Sequence, residues 1–594
     1  MQLYAYLKQN VEALRSANPA VFAWLQAREY DMSDLSDRVF VNESGVLDWR
    51  LPGGQGLFEP IPPATYYRGW TYTDRADTSA TLLVGCNVGY GLNHVLTSTP
   101  ESHKIVVLEP RPELLLACLG QTDYTEFIAS GRLHFMPPNE EYLAELIRHL
   151  DLQFLFGKVL LREDVPSRQI GPEYARWVNR CKARLENFTV EMTTLRLRQD
   201  TMVGNELNNF QRAVSDGSLS CLQGSAKGLT AVLFGAGPSL SENAARFREN
   251  PHGALYATSL QALPALLSHG IQPHFCLAID YSEGMLNIFD KLDHERAANV
   301  PLIYSTKVQP ELLERYPGPT LPLWTQGGIS TFVMKDKEYV IDAGGNVGVT
   351  LLRFLEWLGA ERMLLVGQDF GCPGDRTHAE GHHGQRALDG NKQYTRQVKD
   401  ASGNAIATSP QLIAARRDME DDLARLPLRV CNLYGGGAVI KGAEMVDWET
   451  IENERLLRSS APEAVDAVLG KLEQAGRSCR RPAFEHRSHR WTTSLRNVEK
   501  RLHKLFKHLD RNQYEINQTL RQIGTFLKQD PLYTPYLFNE IMDVAGFVHA
   551  TREYRRADFV PIRDILKRAV NKVRHMDRML CVETTKNSGQ SQAA

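Results

Sequence analysis

The sequence lacks the features that mark secreted, membrane-spanning and nucleic-acid-coating proteins. Its 68 Lys and Arg residues are balanced by 70 Asp and Glu residues, so no excess of positive charge predicts a nucleic-acid partner. No apolar run approaches the roughly 20 residues that span a bilayer, so we expect no membrane span. The N-terminal residues, MQLYAYLKQN, do not have the basic and then apolar pattern of a signal peptide. We therefore expect a cytoplasmic protein.

Cysteine residues are few and scattered. The nine Cys residues occur singly, and none belongs to a C-x-x-C pair. A disulfide framework and a zinc site both need recurring Cys spacings, so this pattern predicts neither of them. Scattered Cys residues are typical of a reducing compartment, which agrees with a cytoplasmic location.

The chain is long, and its composition changes along its length. Its 594 residues exceed what a single hydrophobic core supports, so we expect several domains. We predict an N-terminal α/β domain with a helical connector over residues 1–215 and a central domain over 216–450. A helical domain follows over 451–585, and the polar tail over 586–594 is predicted to be disordered. A Gly- and Ser-rich stretch at 218–228 marks the first boundary.

The N-terminal part contains a glycine-rich turn between two short apolar strands. The strand at 81–84 is followed by Gly85–Gly91 and a helix from Leu92, and the strand at 105–108 ends in Glu109. This order is typical of a dinucleotide or S-adenosylmethionine pocket, where the acid binds ribose hydroxyls. The glycine spacing is not a regular G-x-G-x-x-G, which favours the alternative, a Rossmann-like half with a structural turn.

The most informative motif is TAVLFGAGPSL at residues 230–240. An apolar strand ends in Gly235-Ala236-Gly237, and Pro238-Ser239 begins a helix, where the missing N–H of proline costs nothing. Such a turn presents backbone N–H groups and the positive end of a helix dipole, and we predict that it binds a phosphate. The alternative is an ordinary connection from strand to helix, without a ligand.

Strand and helix patterns alternate through the whole central region. Apolar strands are predicted at 231–234, 255–258, 275–279, 302–305, 363–366 and 429–433. The alternation favours a doubly wound, mostly parallel sheet, whose ligands bind beyond the carboxyl ends of the strands. The polar residues Ser259, Asp280, Gln368 and Asp369 fall at such ends. Asp280 and Asp369 are candidates to orient a substrate or a metal, with helix N-caps as the alternative.

Three histidines lie in one glycine-rich loop just after Asp369. His378, His382 and His383 fall within Arg376–Gly384, and an imidazole is the side chain best suited to general base catalysis near neutral pH. The alternatives are a surface loop without a function and a metal site at the H-x-x-x-H spacing. The surrounding glycines argue against the helix that such a metal site uses.

The helical region at the C-terminal end carries a strongly basic stretch. Residues 486–507 include Arg490, Arg496, Lys500 and Lys504. We interpret this stretch either as a solvated helix face or as a docking surface for an acidic partner.

Four motifs of the central region belong together: Gly235–Leu240, the strand end at Asp280, Gly367–Phe370 and Gly435–Ala438. Together they resemble the motility accessory factor (Maf) family, bacterial glycosyltransferases that modify flagellin with sialic-acid-like nonulosonic acids. A strand ending in Glu109-Pro110 extends the resemblance to the N-terminal half. The resemblance implies flagellin as the acceptor and a CMP-activated nonulosonic acid as the donor.

The central motifs are also similar to those of bacterial sialyltransferases that use CMP-activated sugar. Gly348-Val349, a helix, Gly359, a strand and Gly367–Phe370 follow one another at the same spacing as in those enzymes. Two departures, Ala236 for an asparagine and Val347 for a serine, remove hydrogen-bonding groups near the nucleotide.

The resemblance implies a set of site residues. The catalytic residues would be His382, His378 and Asp369, with His382 matching the sialyltransferase base and His378 the histidine more often present in motility factors. The nucleotide-sugar-binding residues would be Gly235, Ala236, Gly237, Pro238, Ser239, Ser259, Asp280, Gly348, Gln368, Gly436 and Gly437. No cofactor is firmly implied, with Mg²⁺ left open, and no metal ligands are assigned.

Three other functions share some of these features. Archaeal hydroxymethylpterin diphosphokinases have the same G-x-G-P-S-L domain in a much shorter chain and transfer pyrophosphate from ATP. A methyltransferase would use Gly85–Gly91 and Glu109 to bind S-adenosylmethionine. A non-catalytic flagellin-binding factor would use the basic helices.

Overall fold

The computed structural model describes residues 4–27, 32–72, 75–250, 252–335, 337–388, 393–476, 482–551 and 553–581. Cys479 and the predicted tail over 586–594 lie outside the described residues, and each of the eight described cysteines is free. Contacts divide the chain into two compact units. The first consists of residues 1–197, 500–526 and 540–565, and the second of 198–499, 527–539 and 566–594. The helices after residue 451 contribute to both units, and the three-part division at residues 215 and 450 stays a prediction.

A four-stranded parallel sheet forms the centre of the first unit. The strands of this unit are β1 (Val39–Val41), β2 (Leu47–Trp49), β3 (Ala80–Val84), β4 (Lys104–Leu108), β5 (Leu133–Met136) and β6 (Val159–Glu163). The sheet order is β5-β4-β3-β6, and β1 and β2 form a separate antiparallel pair. Every residue of β3 is buried, which explains its unbroken apolar sequence.

Helices connect these strands and cover the sheet. They are α1 (Leu7–Ala17), α2 (Pro19–Gln26), α3 (Met32–Arg38), α4 (Pro63–Tyr67), α5 (Tyr90–Ser98), α6 (Pro112–Gln121), α7 (Thr125–Ala129), α8 (Glu140–Arg148) and α9 (Asp151–Phe156). The 44-residue helix α10 (Glu173–Asp216) includes the charged connector that the sequence predicts. This unit is therefore the Rossmann-like half that the sequence predicts.

The glycine-rich turn of this half is filled by the protein's own side chains. Glu109 is fully buried, and its carboxylate accepts hydrogen bonds from Cys86 N (2.8 Å), Arg111 N (3.0 Å) and the Tyr174 hydroxyl (2.6 Å). Burial raises the pKa of Glu109 to about 7. Glu109 therefore supports the turn from inside, which agrees with the structural turn that the glycine spacing favours.

A nine-stranded parallel sheet forms the centre of the second unit. The strands of this unit, which include two outside the large sheet, are β7 (Thr230–Phe234), β8 (Leu255–Ser259), β9 (Phe275–Ala278), β10 (Leu302–Ser305), β11 (Thr320–Thr325), β12 (Val340–Ile341), β13 (Arg362–Val366), β14 (Arg396–Lys399), β15 (Ala405–Thr408), β16 (Arg429–Leu433) and β17 (Glu444–Val446). The sheet order is β12-β11-β10-β9-β8-β7-β13-β16-β17, whereas β14 and β15 form a separate hairpin. All pairs in the large sheet are parallel, as the sequence predicts.

Both faces of this sheet are covered by helices. They are α11 (Ser239–Asn243), α12 (Leu263–Ser268), α13 (His294–Ala297), α14 (Pro310–Arg315), α15 (Ser330–Val333), α16 (Val347–Trp357), α17 (Pro410–Leu423), α18 (Trp448–Asn453) and α19 (Ala464–Ala475). Within β7, Ala231 and Leu233 join the apolar cluster on one face, while Val232 and Phe234 join the cluster on the other. The sheet is therefore doubly wound, as predicted.

Most of the described chain after residue 475 is helical. It contains α20 (Ser488–Lys507), α21 (Leu509–Lys528), α22 (Phe538–Ala550) and α23 (Phe559–Leu580), which confirms the predicted helical C-terminal region. Within the described ranges, no helix is both long and apolar enough to cross a membrane.

Candidate functional site

The candidate site lies at the carboxyl ends of β7 and β13, where the large sheet changes winding direction. From β7 the chain continues to β8 on one side, and from β13 it continues to β16 on the other side. Such a switch point leaves a crevice between two strand ends. A cavity of about 170 Å³ occupies it. Its lining residues are Phe234, Gly235, Ala236, Gly237, Ser259, Gln261, Asn346, Val347, Gly348, Leu351, Gly367, Gln368, Asp369, Phe370, Gly371, Thr377, His378, His382, Tyr394 and Leu412.

The cavity brings together most of the site residues that the sequence suggests. Nine of them belong to its lining: Gly235, Ala236, Gly237, Ser259, Gly348, Gln368, Asp369, His378 and His382. The other five lie outside the lining: Pro238, Ser239, Asp280, Gly436 and Gly437. The nine lining residues come from several loops, which the parallel topology places at one edge of the sheet.

Asp369 is buried beneath the glycine turn and is held by Ser239. Its carboxylate accepts hydrogen bonds from Ser239 N (2.9 Å) and Ser239 Oγ (2.5 Å). Burial raises the pKa of Asp369 to about 6, and the two bonds from Ser239 oppose that rise. Both carboxylate oxygens are therefore engaged within the protein, and Asp369 positions the turn.

The glycine turn has less hydrogen-bonding capacity for a ligand than its sequence indicates. Gly235 N donates to Val366 O (2.7 Å), Gly237 N donates to Gly367 O (2.9 Å), and Ser239 N is bound to Asp369. Proline has no N–H group, so Ala236 N alone in this turn has no acceptor among the described residues. The prediction of a phosphate cradle made by the N–H groups of 235–239 is therefore corrected to a single free donor.

The glycines of the turn are required by close packing. A Cβ atom on Gly237 would lie 2.4 Å from Asp369 Oδ2, and one on Gly235 would lie 2.4 Å from Gly367 O. The later segment Gly435–Gly437 packs in the same place, because a Cβ atom on Gly437 would lie 2.7 Å from the Asp369 backbone. Gly435–Gly437 therefore supports Asp369 from behind, and Gly436 and Gly437 do not line the cavity.

The N-terminus of α16, whose Asn346 is not among the site residues that the sequence suggests, also lines the cavity. Asn346 is the N-cap of α16, and its side chain accepts a hydrogen bond from Gly348 N at 2.8 Å. The N–H groups of Val347 and Val349 have no acceptor among the described residues. The 11-residue helix α16 thus presents free donors and its positive dipole end to the cavity. An asparagine just before an apolar helical pattern is the signal that identifies such a cap.

Ser259 and Asp280 have supporting positions. The Ser259 hydroxyl accepts a hydrogen bond from Ala262 N at 3.2 Å. Asp280 accepts from Ser282 N at 2.9 Å and from the side-chain amide of Gln261 at 3.5 Å. Because Gln261 lines the cavity and Asp280 does not, Asp280 acts on the site through Gln261.

The histidine loop places two imidazole rings against each other beside the cavity. The rings of His378 and His382 are parallel within 3°, with centroids 4.2 Å apart, and His383 follows at 4.3 Å from His382. Rings stacked face to face cannot direct their in-plane lone pairs at one shared ion, so this pair is not a zinc site. Among the described residues, no group of three or more His, Cys, Asp or Glu side chains is arranged to hold a metal ion.

All three imidazoles are kept neutral. Burial, with the neighbouring His383, lowers the pKa of His378 to about 4. Burial, with His378, His383 and Lys291 nearby, lowers the pKa of His382 to about 2. Burial also lowers the pKa of His383. The rings are therefore unprotonated at neutral pH, which is the state a proton acceptor needs.

Comparison with known proteins gives one family match and one structural match. A family model described as "6-hydroxymethylpterin diphosphokinase MptE-like" matches residues 204–375, which is the segment that contains the glycine turn and Asp369. No curated protein matches the chain.

The structural match extends over nearly the whole chain. A solved structure of Maf glycosyltransferase from Magnetospirillum magneticum AMB-1 is similar over 97% of both chains, with a TM-score of 0.60 and 16% sequence identity. At this identity the similarity shows a shared fold. The motif-based resemblance to that family is confirmed at the level of the fold.

Replacing Gly237 with alanine tests the packing of the turn on Asp369. The added Cβ atom meets Asp369 Oδ2 at 2.4 Å, and overpacking of this kind costs about 1–3 kcal/mol. We expect Gly237→Ala to lower the free energy of unfolding by that amount in urea titrations. Gly374→Ala is the control, because a Cβ atom there has nothing within 4 Å. Equal stability of the two variants would contradict the packing.

Lowering the pH from 7 to 5 affects stability in opposite directions through two buried groups. The folded protein keeps His382 neutral because its pKa is about 2, whereas an unfolded His binds a proton below about 6.5. His382 therefore reduces the free energy of unfolding by about 2 kcal/mol over this range. Asp369, whose folded pKa is about 6, binds a proton first in the folded protein and raises the free energy of unfolding by about 1 kcal/mol.

Two variants separate these contributions. Relative to the unmodified protein, His382→Asn is expected to lose less stability between pH 7 and pH 5, and Asp369→Asn is expected to lose more. Urea unfolding at both pH values measures the difference. The pKa assignments fail if both variants lose more stability than the unmodified protein over this pH range, or if both lose less.

Proposed function

We propose that this protein is a glycosyltransferase that transfers a nonulosonic, sialic-acid-like sugar from a CMP-activated donor to Ser or Thr residues of flagellin. The observation that carries the proposal is the cavity at the switch point. It combines the glycine turn, the N-terminus of α16 and the stacked histidines. The fold shared with a Maf glycosyltransferase supports it. A cytoplasmic location is part of the proposal.

The donor phosphate belongs at the N-terminus of α16. The free N–H group of Val347 and the positive dipole end favour an anion there, and Ala236, whose N–H is also free, belongs to the same cavity lining. As the bond between the sugar and the phosphate breaks, negative charge grows on the leaving CMP. Donors that are already oriented stabilise that charge without reorganisation.

The acceptor hydroxyl belongs beside the histidines. A Ser or Thr hydroxyl is a weak nucleophile, and a neutral imidazole at hydrogen-bond distance removes its proton as the new bond forms. His378 and His382 are the two histidines of the cavity lining, and one of them takes this proton. Gln261 and Gln368, which also line the cavity, are available to bind sugar hydroxyls.

A second candidate function is pyrophosphate transfer from ATP, which the family match over residues 204–375 favours. The cavity supports it less well. Its lining, as far as the structure describes it, contains no Lys or Arg, whereas ATP brings about four negative charges. A CMP-activated nonulosonic acid carries about two negative charges, one on its phosphate and one on its sugar carboxylate, and the α16 N-terminus favours the phosphate.

A titration calorimetry experiment with CMP, run beside ATP–Mg²⁺ and S-adenosylmethionine, tests the nucleotide. We expect CMP to bind and the other two not to bind at similar concentrations. Binding of ATP–Mg²⁺ would favour the pyrophosphokinase, and binding of S-adenosylmethionine would favour a methyltransferase. Failure to bind any cytidine nucleotide at millimolar concentration would overturn the glycosyltransferase proposal.

A matched pair of cap variants locates the phosphate. Asn346→Ala removes the N-cap of α16 at the cavity. Asn139→Ala removes the N-cap of α8, where the Asn139 side chain accepts a hydrogen bond from Tyr142 N at 2.8 Å. Each change costs about 1 kcal/mol of stability. Asn346→Ala is expected to weaken CMP binding about tenfold, or about 1.4 kcal/mol, and Asn139→Ala to leave it unchanged.

A double histidine variant separates an enzyme from a flagellin-binding factor. Replacing His378 and His382 together abolishes sugar transfer by an enzyme but leaves flagellin binding intact. A flagellin-binding factor would instead show no transfer even without substitution. The exposed basic residues of α20 are the surface where we expect an acidic protein partner to dock.

A further inference from the structure

The hydrogen bonds of the histidine loop give the two stacked rings different proton positions. Gly384 N lies 2.9 Å from His382 Nδ1, and a backbone N–H can only donate. His382 Nδ1 must therefore accept, so neutral His382 carries its hydrogen on Nε2. The nitrogen of His382 that is left for a substrate is a donor and has no lone pair to take a proton.

Thr377 imposes the opposite arrangement on His378. The buried Thr377 hydroxyl lies 3.0 Å from His378 Nδ1 and 3.3 Å from each of two backbone carbonyls, Gly384 O and Arg386 O. The single hydroxyl hydrogen can go to one of these carbonyls or to the ring nitrogen, and the carbonyls are the two partners that can only accept, whereas the ring nitrogen can donate. Its oxygen, which also accepts from Arg386 N at 3.2 Å, then faces the ring with a lone pair. With the hydroxyl hydrogen on a carbonyl, His378 carries its own hydrogen on Nδ1 and donates it to Thr377, and its Nε2 is left as an acceptor.

We propose that Thr377 is a positioning residue that makes His378 the general base and leaves His382 as a neutral hydrogen-bond donor. This inference rests on the proposed glycosyltransferase function. It assigns the general base to His378 and the hydrogen-bond donor to His382, a distinction that residue type and spacing alone do not make. Thr377 holds the base in one tautomer, as a third residue does in other nucleophile–base pairs.

The proton and the electrons balance in the step that follows. The acceptor oxygen attacks the anomeric carbon while its proton moves to His378 Nε2. The bond between that carbon and the phosphate oxygen breaks, and its electron pair leaves with CMP. The ring centroid of His378, which is now charged, lies 4.2 Å from that of His382, and because His382 stays neutral it adds no like charge. The proton returns to water after product release.

The proton positions are testable in the free protein, without a substrate. Nitrogen-15 NMR of histidine-labelled protein at pH 7 distinguishes a protonated ring nitrogen from an unprotonated one. We expect hydrogen on Nδ1 of His378 and on Nε2 of His382, with His378→Asn and His382→Asn used to assign the signals. A hydrogen on Nδ1 of His382 or on Nε2 of His378 would overturn the inference, whatever the fate of the proposed function.

Kinetic variants test the division of roles once transfer is measured. Loss of a general base lowers kcat about 10²–10⁴-fold, so we expect that loss for His378→Asn and a loss below about tenfold for His382→Asn. Thr377→Val is expected to lower kcat about tenfold with little change in KM and to release the His378 tautomer in the NMR spectrum. Thr377→Ser, which keeps the hydroxyl, should restore both.

The inference is wrong if His382→Asn loses as much activity as His378→Asn, or if Thr377→Ser fails to restore what Thr377→Val loses. CMP titration of each variant keeps the two proposals apart. A variant that binds CMP normally but does not transfer sugar has lost the general base and not the nucleotide site. If the unmodified protein ignores CMP, the proposed function fails, while the NMR result on the tautomers still stands.

Discussion

The contact between Asp369 and Ser239 is the interaction on which the rest of the site depends. It joins the ends of β7 and β13, and it ties the start of α11 to the loop that leads to the histidines. Two glycines, Gly237 and Gly437, allow this buried carboxylate to sit against backbone on both sides. With that carboxylate inside the protein, the anion-binding role passes from the glycine turn to the N-terminus of α16.

In each unit a buried aspartate packs against a glycine-rich turn, but the partners of the two aspartates differ. In the first unit, Asp164 follows β6 and is buried against the glycine turn after β3, as Asp369 follows β13 in the second unit. Asp164 accepts from the Tyr67 hydroxyl (2.6 Å) and Asn87 Nδ2 (2.7 Å), so both of its carboxylate oxygens are engaged within the protein. In the second unit the corresponding carboxylate binds one serine, and a cavity remains above it. A glycine-rich turn at a switch point therefore permits a ligand site but does not by itself create one.

In the histidine loop, Thr377 and the Gly384 backbone determine which nitrogen of each ring carries the hydrogen. Burial keeps all the rings neutral, so charge does not distinguish His378 from His382. The difference comes from one backbone N–H at Gly384 and one hydroxyl at Thr377. Both are short-range contacts within the loop, but they require the loop to fold back so that Thr377 meets Arg386, nine residues later.

Much of the fold and part of the site follow from the sequence by itself. The apolar runs at β7, β8, β10 and β13 predict buried parallel strands because both faces of such strands are covered. The strand β11 was not predicted, since Pro322 lies in its middle and proline argues against a strand. The two-residue strand β12 is too short to produce a pattern. Motif order was enough to place the glycine turn, Asp369 and the histidines near one edge of the sheet.

Only the tertiary structure decided which groups of that edge remain available. Ser239 and Asp369 are 130 residues apart, and their contact removes both the donor and the carboxylate that the motifs assign to a ligand. Gly437 and Asn346 come from other segments of the chain. Gly437 packs against the Asp369 backbone, whereas Asn346 lines the cavity. Local patterns determine strands, helices and turns because these depend on neighbouring residues. The free hydrogen-bonding groups of a site depend on partners brought together from distant parts of the chain.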